Sequence, residues 1–521
     1  MKQVLLITLL GILAIVASIF PTLYKAYTAP PGTIYTLEHN HLNDYYYYLS
    51  LMRQGYEGNW LLTSRTTPEK FPPIFVQTFF AALGRIAALT GGDLPLTYTL
   101  ARVVIGFVLL VVIYALRRAT LDGRRAVYFC CFLAFFGTAF WYVANGQMIT
   151  WLAFWTEFDA FYRATFLPHH LMATTCIILS ILSLWQLKKG GSYLAAFFFI
   201  LFGVLAGISN PATLVNYIIV LFVASLFMFI SKTAEERVWP TLGVGLVAFS
   251  LTTLYFLGVE NSTFPWTTYR DLTTLISYPM SLPNYILGMG PGAILALLGI
   301  RYFVQKRSNL IKNIMLSWAI VPFFTAKLLP ALVSLPNAHF LQVAHFIPLS
   351  IIGGAGLASI QRKIAQVAVT ILLILYFIPP WFHNIRLEMY RYARLTYNVY
   401  VPQEVFAAFG YLNEKSPQES VVVSGKFLGG MIPAFTHNRS VLGHPANTYN
   451  MADKEHDVDL FYRQNDPVFA RQFLAKYTVS YVVYYFDSPS VINEFVQALG
   501  LKRVYQNPRI EIYEVTGESK T

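Results

Sequence analysis

Apolar runs of the length needed to cross a bilayer, about 17–25 residues, recur eleven times along the first three quarters of the chain. They fall at 3–23, 98–116, 126–143, 171–187, 192–208, 213–230, 239–257, 284–303, 313–329, 341–360 and 364–383. Two stretches interrupt this rhythm. One is a long polar loop, 24–97, in which short helices are predicted near 44–55 and 72–89. The segment 72–89 is apolar enough to cross, but Gln77 and Arg85 interrupt it, and an amphipathic helix lying at the interface fits better. The other begins at residue 384, where the pattern shifts to shorter periods. There "PQEVFAAFGYLNEKS" and "DPVFARQFLAKY" read as helices, while "SVVVSG", "VSYVVYYF" and "RIEIYEV" read as strands. The expectation is a mainly α-helical polytopic membrane protein of about eleven transmembrane helices. Its membrane domain covers 1–383, and a soluble, extracytoplasmic C-terminal α/β domain covers 384–521.

Composition agrees. Hydrophobic residues make up 56% of the chain and charged residues 12%, about half the charge of an ordinary soluble protein. The formal net charge of +12 first suggests a polyanion partner, yet from residue 384 onward acids and bases are equal in number. The whole excess therefore belongs to the membrane part, in short loops on alternate sides. Arg117, Arg118, Arg124, Arg125, Lys188, Lys189, Lys232, Arg237, Arg301, Lys306, Arg307, Lys312, Arg362 and Lys363 all fall on one side if Met1 is cytoplasmic. Only Arg163, Arg270 and Lys327 fall in or beside the opposite short loops. Such a bias sets topology and argues against nucleic acid. The N-terminus is expected in the cytoplasm, the first run is expected to stay as an uncleaved anchor, and the C-terminal domain is expected outside a cytoplasmic membrane. Cys130, Cys131 and Cys176 lie in apolar runs, so no disulfide framework is expected.

The charges on the outer side carry the candidate chemistry. The first loop holds Glu38, His39, His41 and Asp44 in "EHNHLNDYYYYLSLMRQG". A second outer loop, "WTEFDAFYRATFLPHH", holds Glu157, Asp159, Arg163, His169 and His170, and Lys327 lies near a later outer edge. Ionisable groups near hydrocarbon usually face a cavity or a partner. A carboxylate can take a proton from an attacking hydroxyl or amine, cations can hold a leaving phosphate, and tyrosines such as Tyr45 offer faces and hydroxyls to a sugar. Neither histidine pair has the spacing of a strong metal signature.

These features together resemble the GT-C superfamily of integral-membrane glycosyltransferases, especially the protein mannosyltransferases and the aminoarabinose transferases of lipid A. The resemblance rests on an anchor followed by a long outer loop with an acid near its start, two interfacial helices, a second acidic loop and a terminal outer domain. It implies that Asp44 is the catalytic base, with Glu157 and Asp159 as further catalytic candidates. It also implies a polyprenyl-phosphate sugar donor, with Arg163, His169 and Lys327 as candidates for its phosphate. Glu38, His41 and Tyr45 are substrate-binding candidates, and the acceptor is a lipid, a glycan or a protein. Many relatives carry two adjacent acids where this chain has Asn43 and Asp44. Oligosaccharyltransferase-like members use a divalent metal and mannosyltransferase-like ones do not, and the sequence leaves that choice open. The alternatives are a transporter or flippase of lipid-linked sugars and a non-catalytic envelope assembly protein. A transporter is expected to carry ionisable groups near the bilayer midplane, whereas the predicted spans contain no acids.

Overall fold

The computed structural model describes residues 2–39, 41–121, 123–151, 160–230, 238–268, 281–305, 310–333, 337–390, 399–463, 466–485 and 493–516. Among them, eight helices are long and apolar enough to cross a membrane, or nine if one sharply bent pair counts as a single span. The chain is a multi-pass membrane protein. Every one of the eleven predicted runs has a helical counterpart, and the difference in number lies in three places.

The run 284–303 is two helices, Leu282–Met289 and Pro291–Arg301, meeting at 95°. Gly290 sits at the break with φ of 68°, a conformation that suits glycine. A β-carbon there would lie 1.9 Å from the Thr138 carbonyl oxygen. The run 126–143 is cut short, because the helix Arg124–Phe136 ends at Gly137. Strands Trp141–Ala144 and Gln147–Thr150 then form an antiparallel hairpin. Asn145 and Gly146 turn it, both with positive φ, which is the usual chemistry of a two-residue hairpin loop. The third, Tyr193–Ser209, is a helix of 17 residues, marginal in length.

The chain divides into two compact units. The first comprises Met1–Leu23, Leu100–Gly258 and Arg270–Tyr390, and the second Tyr24–Thr99, Val259–Tyr269 and Arg391–Thr521. Within the first unit, Phe346–Ala358 is buried along its whole length except at its last residue. Glycines make this burial possible: a β-carbon on Gly356 would press on the Leu295 carbonyl, and one on Gly299 on that of Ile352. Backbones approach closely through small residues, the usual means of helix association where water cannot drive it. The helix Lys363–Tyr390 instead exposes Ile364, Leu372, Leu375 and Phe382, as a lipid-facing surface does.

In the second unit a five-stranded mixed sheet runs in the order Arg439–Ser440, Val421–Val423, Tyr481–Tyr485, Ile510–Val515, Leu501–Gln506. The first three strands are parallel and the last two antiparallel to their neighbours. Tyr481–Tyr485 is central, and its unbroken apolar character matches burial on both faces. Helices Gln403–Lys415 and Pro467–Lys476 lie where the pattern placed them. The long first loop folds with these elements: Thr33–Tyr35 pairs antiparallel with Tyr400–Pro402.

The two predicted loop helices are Leu42–Tyr56 and Thr78–Thr90. They cross at glycines, since a β-carbon on Gly84 would lie 1.9 Å from the Met52 carbonyl oxygen and one on Gly55 2.2 Å from that of Ala81. Substituting Val at Gly84 is expected to push the helices apart and lower stability by about 1–3 kcal/mol, the usual range for overpacking. The shift in thermal unfolding of the detergent-solubilised protein measures this, and the same change at exposed Gly410 serves as the control.

Candidate active site

Asp44 stands in the first turn of the helix Leu42–Tyr56, and His41, with extended backbone, occupies the N-cap position. A carboxylate is favoured at this end of a helix because it faces the positive end of the helix dipole. The side chain is partly open, 32% exposed, and Oδ1 lies 2.8 Å from Nε2 of His444, whose side chain is 7% exposed. Behind the imidazole, the backbone N–H groups of Ala446 and Asn447 donate to Nδ1 at 3.0 and 3.2 Å. The Asn447 side-chain amide approaches the same nitrogen at 2.8 Å. The Tyr47 ring lies 5.5 Å from the imidazole.

The loop that carries His444 is held by a second strip of chain, residues 63–69. Ser64 and Thr66 donate their hydroxyls to the Asn447 carbonyl at 2.6 and 2.8 Å. Thr448 donates to the Thr66 carbonyl at 2.7 Å and accepts from the Gly443 N–H at 3.1 Å. Gly443 leaves no room for a side chain, since its β-carbon would meet the Gly429 carbonyl at 2.9 Å and Thr66 at 3.1 Å. Buried Arg439 donates to the carbonyls of Ser64 and Glu69, each at 3.0 Å. Lys454, 1% exposed, reaches both Glu69 oxygens at 2.6–2.7 Å, Thr67 Oγ1 at 2.9 Å and the Tyr449 carbonyl at 2.8 Å. Burial pulls the Lys454 ammonium below its ordinary range, and Glu69 opposes that shift.

The four consecutive tyrosines point four ways, and most of them pack. Tyr45 is wholly buried, donates its hydroxyl to the Thr36 carbonyl at 2.6 Å and sets its ring edge-on to Tyr98. Tyr46 lies beside Thr36 and Phe435, and Tyr48 stacks on Phe80 at 4.5 Å. Burial pushes the phenols of Tyr46 and Tyr47 well up, and for Tyr47 the charge of Asp44 adds to the effect. Both therefore stay neutral. Tyr45, expected to contact substrate, is part of the packing of this unit.

Of the other predicted site residues in this unit, Glu38 is buried and paired with Lys25, and so has a structural partner. His41 is half-buried at the helix entry. Glu157 and Asp159 lie outside the described residues.

Arg163, His169 and Lys327 belong to the first unit. Arg163 is buried in the short helix Ala160–Ala164, donates to the Ala134 carbonyl at 3.0 Å and lies 4.1 Å from the Phe346 ring centroid. It lines a small cavity with Thr138, Gly292 and Ser350, beside the helix break at Gly290. His169 is buried in the first turn of Pro168–Lys188, its ring 4.4 Å from that of His170. His170 in turn meets the Asn210 amide at 3.2 Å. Lys327 is exposed on the helix Leu310–Val333, 5.9 Å from the Phe323 ring. Among the described residues, no three His, Cys, Asp or Glu side chains come together as a metal site requires.

No family model matches the chain, and no curated protein matches it. Solved structures do. An oligosaccharyltransferase of Archaeoglobus fulgidus, tethered to an acceptor peptide, matches 92% of this chain and 69% of its own, with a TM-score of 0.55 and 15% identity. ArnT of Cupriavidus metallidurans, bound to undecaprenyl phosphate, matches 98% of this chain and 98% of its own, with a TM-score of 0.50 and 14% identity. The chain shares the fold of these solved structures, which are GT-C membrane glycosyltransferases. A third GT-C neighbour, the mycobacterial arabinofuranosyltransferase AftD, matches 97% of this chain at a TM-score of 0.54 and 15% identity, and this chain spans 41% of its length. At such identities the likeness is one of fold.

His444 and Asn447 escaped the sequence reading. "GHPANTYN" carries only turn chemistry, and nothing local ties it to an acid near the other end of the chain. The strip that holds this loop makes a separate prediction. Glu69→Gln strips the buried Lys454 of its counter-charge. It is expected to lower stability by about 1–3 kcal/mol, less than for a fully buried pair because Glu69 is partly exposed. Adding Lys454→Met should recover part of the loss in a thermal-unfolding double-mutant cycle.

Proposed function

We propose that this chain is a glycosyltransferase that moves a sugar from a polyprenyl-phosphate-linked donor to an acceptor at the outer face of the membrane. The observation that carries the reading is Asp44. On a GT-C fold, a partly open carboxylate heads the first-loop helix with a fixed hydrogen-bond donor on it. The solved neighbours include one bound to undecaprenyl phosphate and one in complex with dolichol phosphate. These support a donor of the same chemical kind.

In the proposed reaction an acceptor hydroxyl or amine attacks the anomeric carbon. Its proton passes to Asp44, and the bond from that carbon to the phosphate oxygen breaks, releasing polyprenyl phosphate. The leaving group gains charge as the bond breaks, so fixed cations accelerate the step by holding it. Arg163, His169 and Lys327 remain the candidates. Arg163 is the strongest, because a guanidinium can grip two phosphate oxygens at once. The terminal residues 384–521 are proposed to lie on the extracytoplasmic side of the membrane and to shape acceptor binding, with the N-terminus in the cytoplasm.

The test measures polyprenyl phosphate released from a panel of undecaprenyl- and dolichyl-phosphate monosaccharides in the presence of host membranes as acceptor source. Asp44→Asn should abolish release while the protein stays folded, and turnover in that variant rejects the assignment. Arg163→Met should lower kcat/KM for the donor by about 10–100-fold, the loss expected of one charged hydrogen-bonding group.

A further inference from the structure

The ring nitrogen of His444 that faces away from Asp44 is surrounded by donors. The backbone N–H groups of Ala446 and Asn447 point at Nδ1, and the Asn447 amide joins them. A nitrogen that accepts N–H groups carries a lone pair, so the ring proton must sit on Nε2. There it lies 2.8 Å from Asp44 Oδ1. A second proton on the ring would set an N–H against those backbone N–H groups. The imidazole is thus held with Nε2 as its donor, in a direction set by the peptide backbone. We propose that His444 is a positioning residue for the transfer reaction, a neutral imidazole whose Nε2–H fixes the orientation in which the Asp44 carboxylate meets the acceptor. This rests on the reading of Asp44 as the base.

Three features make the arrangement stiff. The ring is almost wholly buried, Tyr47 lies against it, and the loop is bonded to Ser64 and Thr66 with Gly443 in close backbone contact. A carboxylate on a single side-chain stem otherwise swings between rotamers. A general base works only within hydrogen-bond reach of the proton it takes, so holding it in place acts on the chemical step. The donor also leaves the negative charge on Asp44, as a base requires. A histidine that merely held its loop together would affect folding and leave the catalytic constant of the folded enzyme alone.

The experiment compares full-length wild type with Asp44→Asn, His444→Phe and His444→Gln in the polyprenyl-phosphate release assay. Phe keeps the ring volume and removes the donor, while Gln places an amide N–H near the position of Nε2. His444→Phe is expected to lower kcat by about 10–100-fold, the scale of a misplaced reacting group, with KM for the donor unchanged. His444→Gln should recover most of that loss. If Asp44→Asn keeps its activity, the base assignment fails and the proposal falls with it. If Asp44→Asn is dead while His444→Phe keeps the wild-type kcat, or Gln rescues nothing, the proposal alone fails. Should both His444 variants misfold, nitrogen NMR of the 15N-histidine-labelled wild-type protein decides. A proton on Nε2 at neutral pH supports the assignment, and a proton on Nδ1 or on both nitrogens overturns it.

Discussion

A carboxylate on the first turn of a helix can point many ways, and what it can do depends on what holds it. In this protein the constraint is a histidine 400 residues away in sequence, whose own direction is dictated by two peptide N–H groups. The chain of dependence continues inward. The His444 loop keeps its shape because hydroxyls of the 63–69 strip bond to it. That strip keeps its shape because Arg439, from a sheet strand, and Lys454, from the helix Met451–Arg463, bond to it. Each link is a buried or partly buried polar contact, and such a network is strong only while all partners are present. The orientation of Asp44 therefore rests on a polar network rather than on apolar packing.

Much of the fold was legible because its physics is local. Long apolar runs announce spans, and the helices Gln403–Lys415 and Pro467–Lys476 announced themselves by periodicity. The errors were also local in cause. Hydropathy alone cannot see that Gly290 turns the chain by 95° or that Asn145–Gly146 closes a hairpin in an apolar stretch, although the Asn-Gly pair was there to be read. Pairings such as Thr33–Tyr35 with Tyr400–Pro402 have no local signature at all.

The candidate site divides in the same way. Asp44 could be found because an acid in a polar segment ahead of a helical run is conspicuous. Glu38 and Tyr45 were grouped with it through proximity in sequence, which carries no information about direction. The structure turns Glu38 to Lys25 and Tyr45 to the Thr36 carbonyl and Tyr98. His444 was missed for the opposite reason: it is near in space and remote along the chain, and one sequence without relatives gives no means of linking the two.

The same remoteness orders the assembly of this unit in time. Asp44 leaves the ribosome early, yet its partner and the loop around it appear only after all the described membrane-crossing helices have been made. Until then the nascent protein holds Asp44 without His444, so a stalled or prematurely ended product lacks the assembled site proposed above. Building one folded unit from the first loop and the terminal residues thereby makes completion of synthesis a condition for pairing Asp44 with His444.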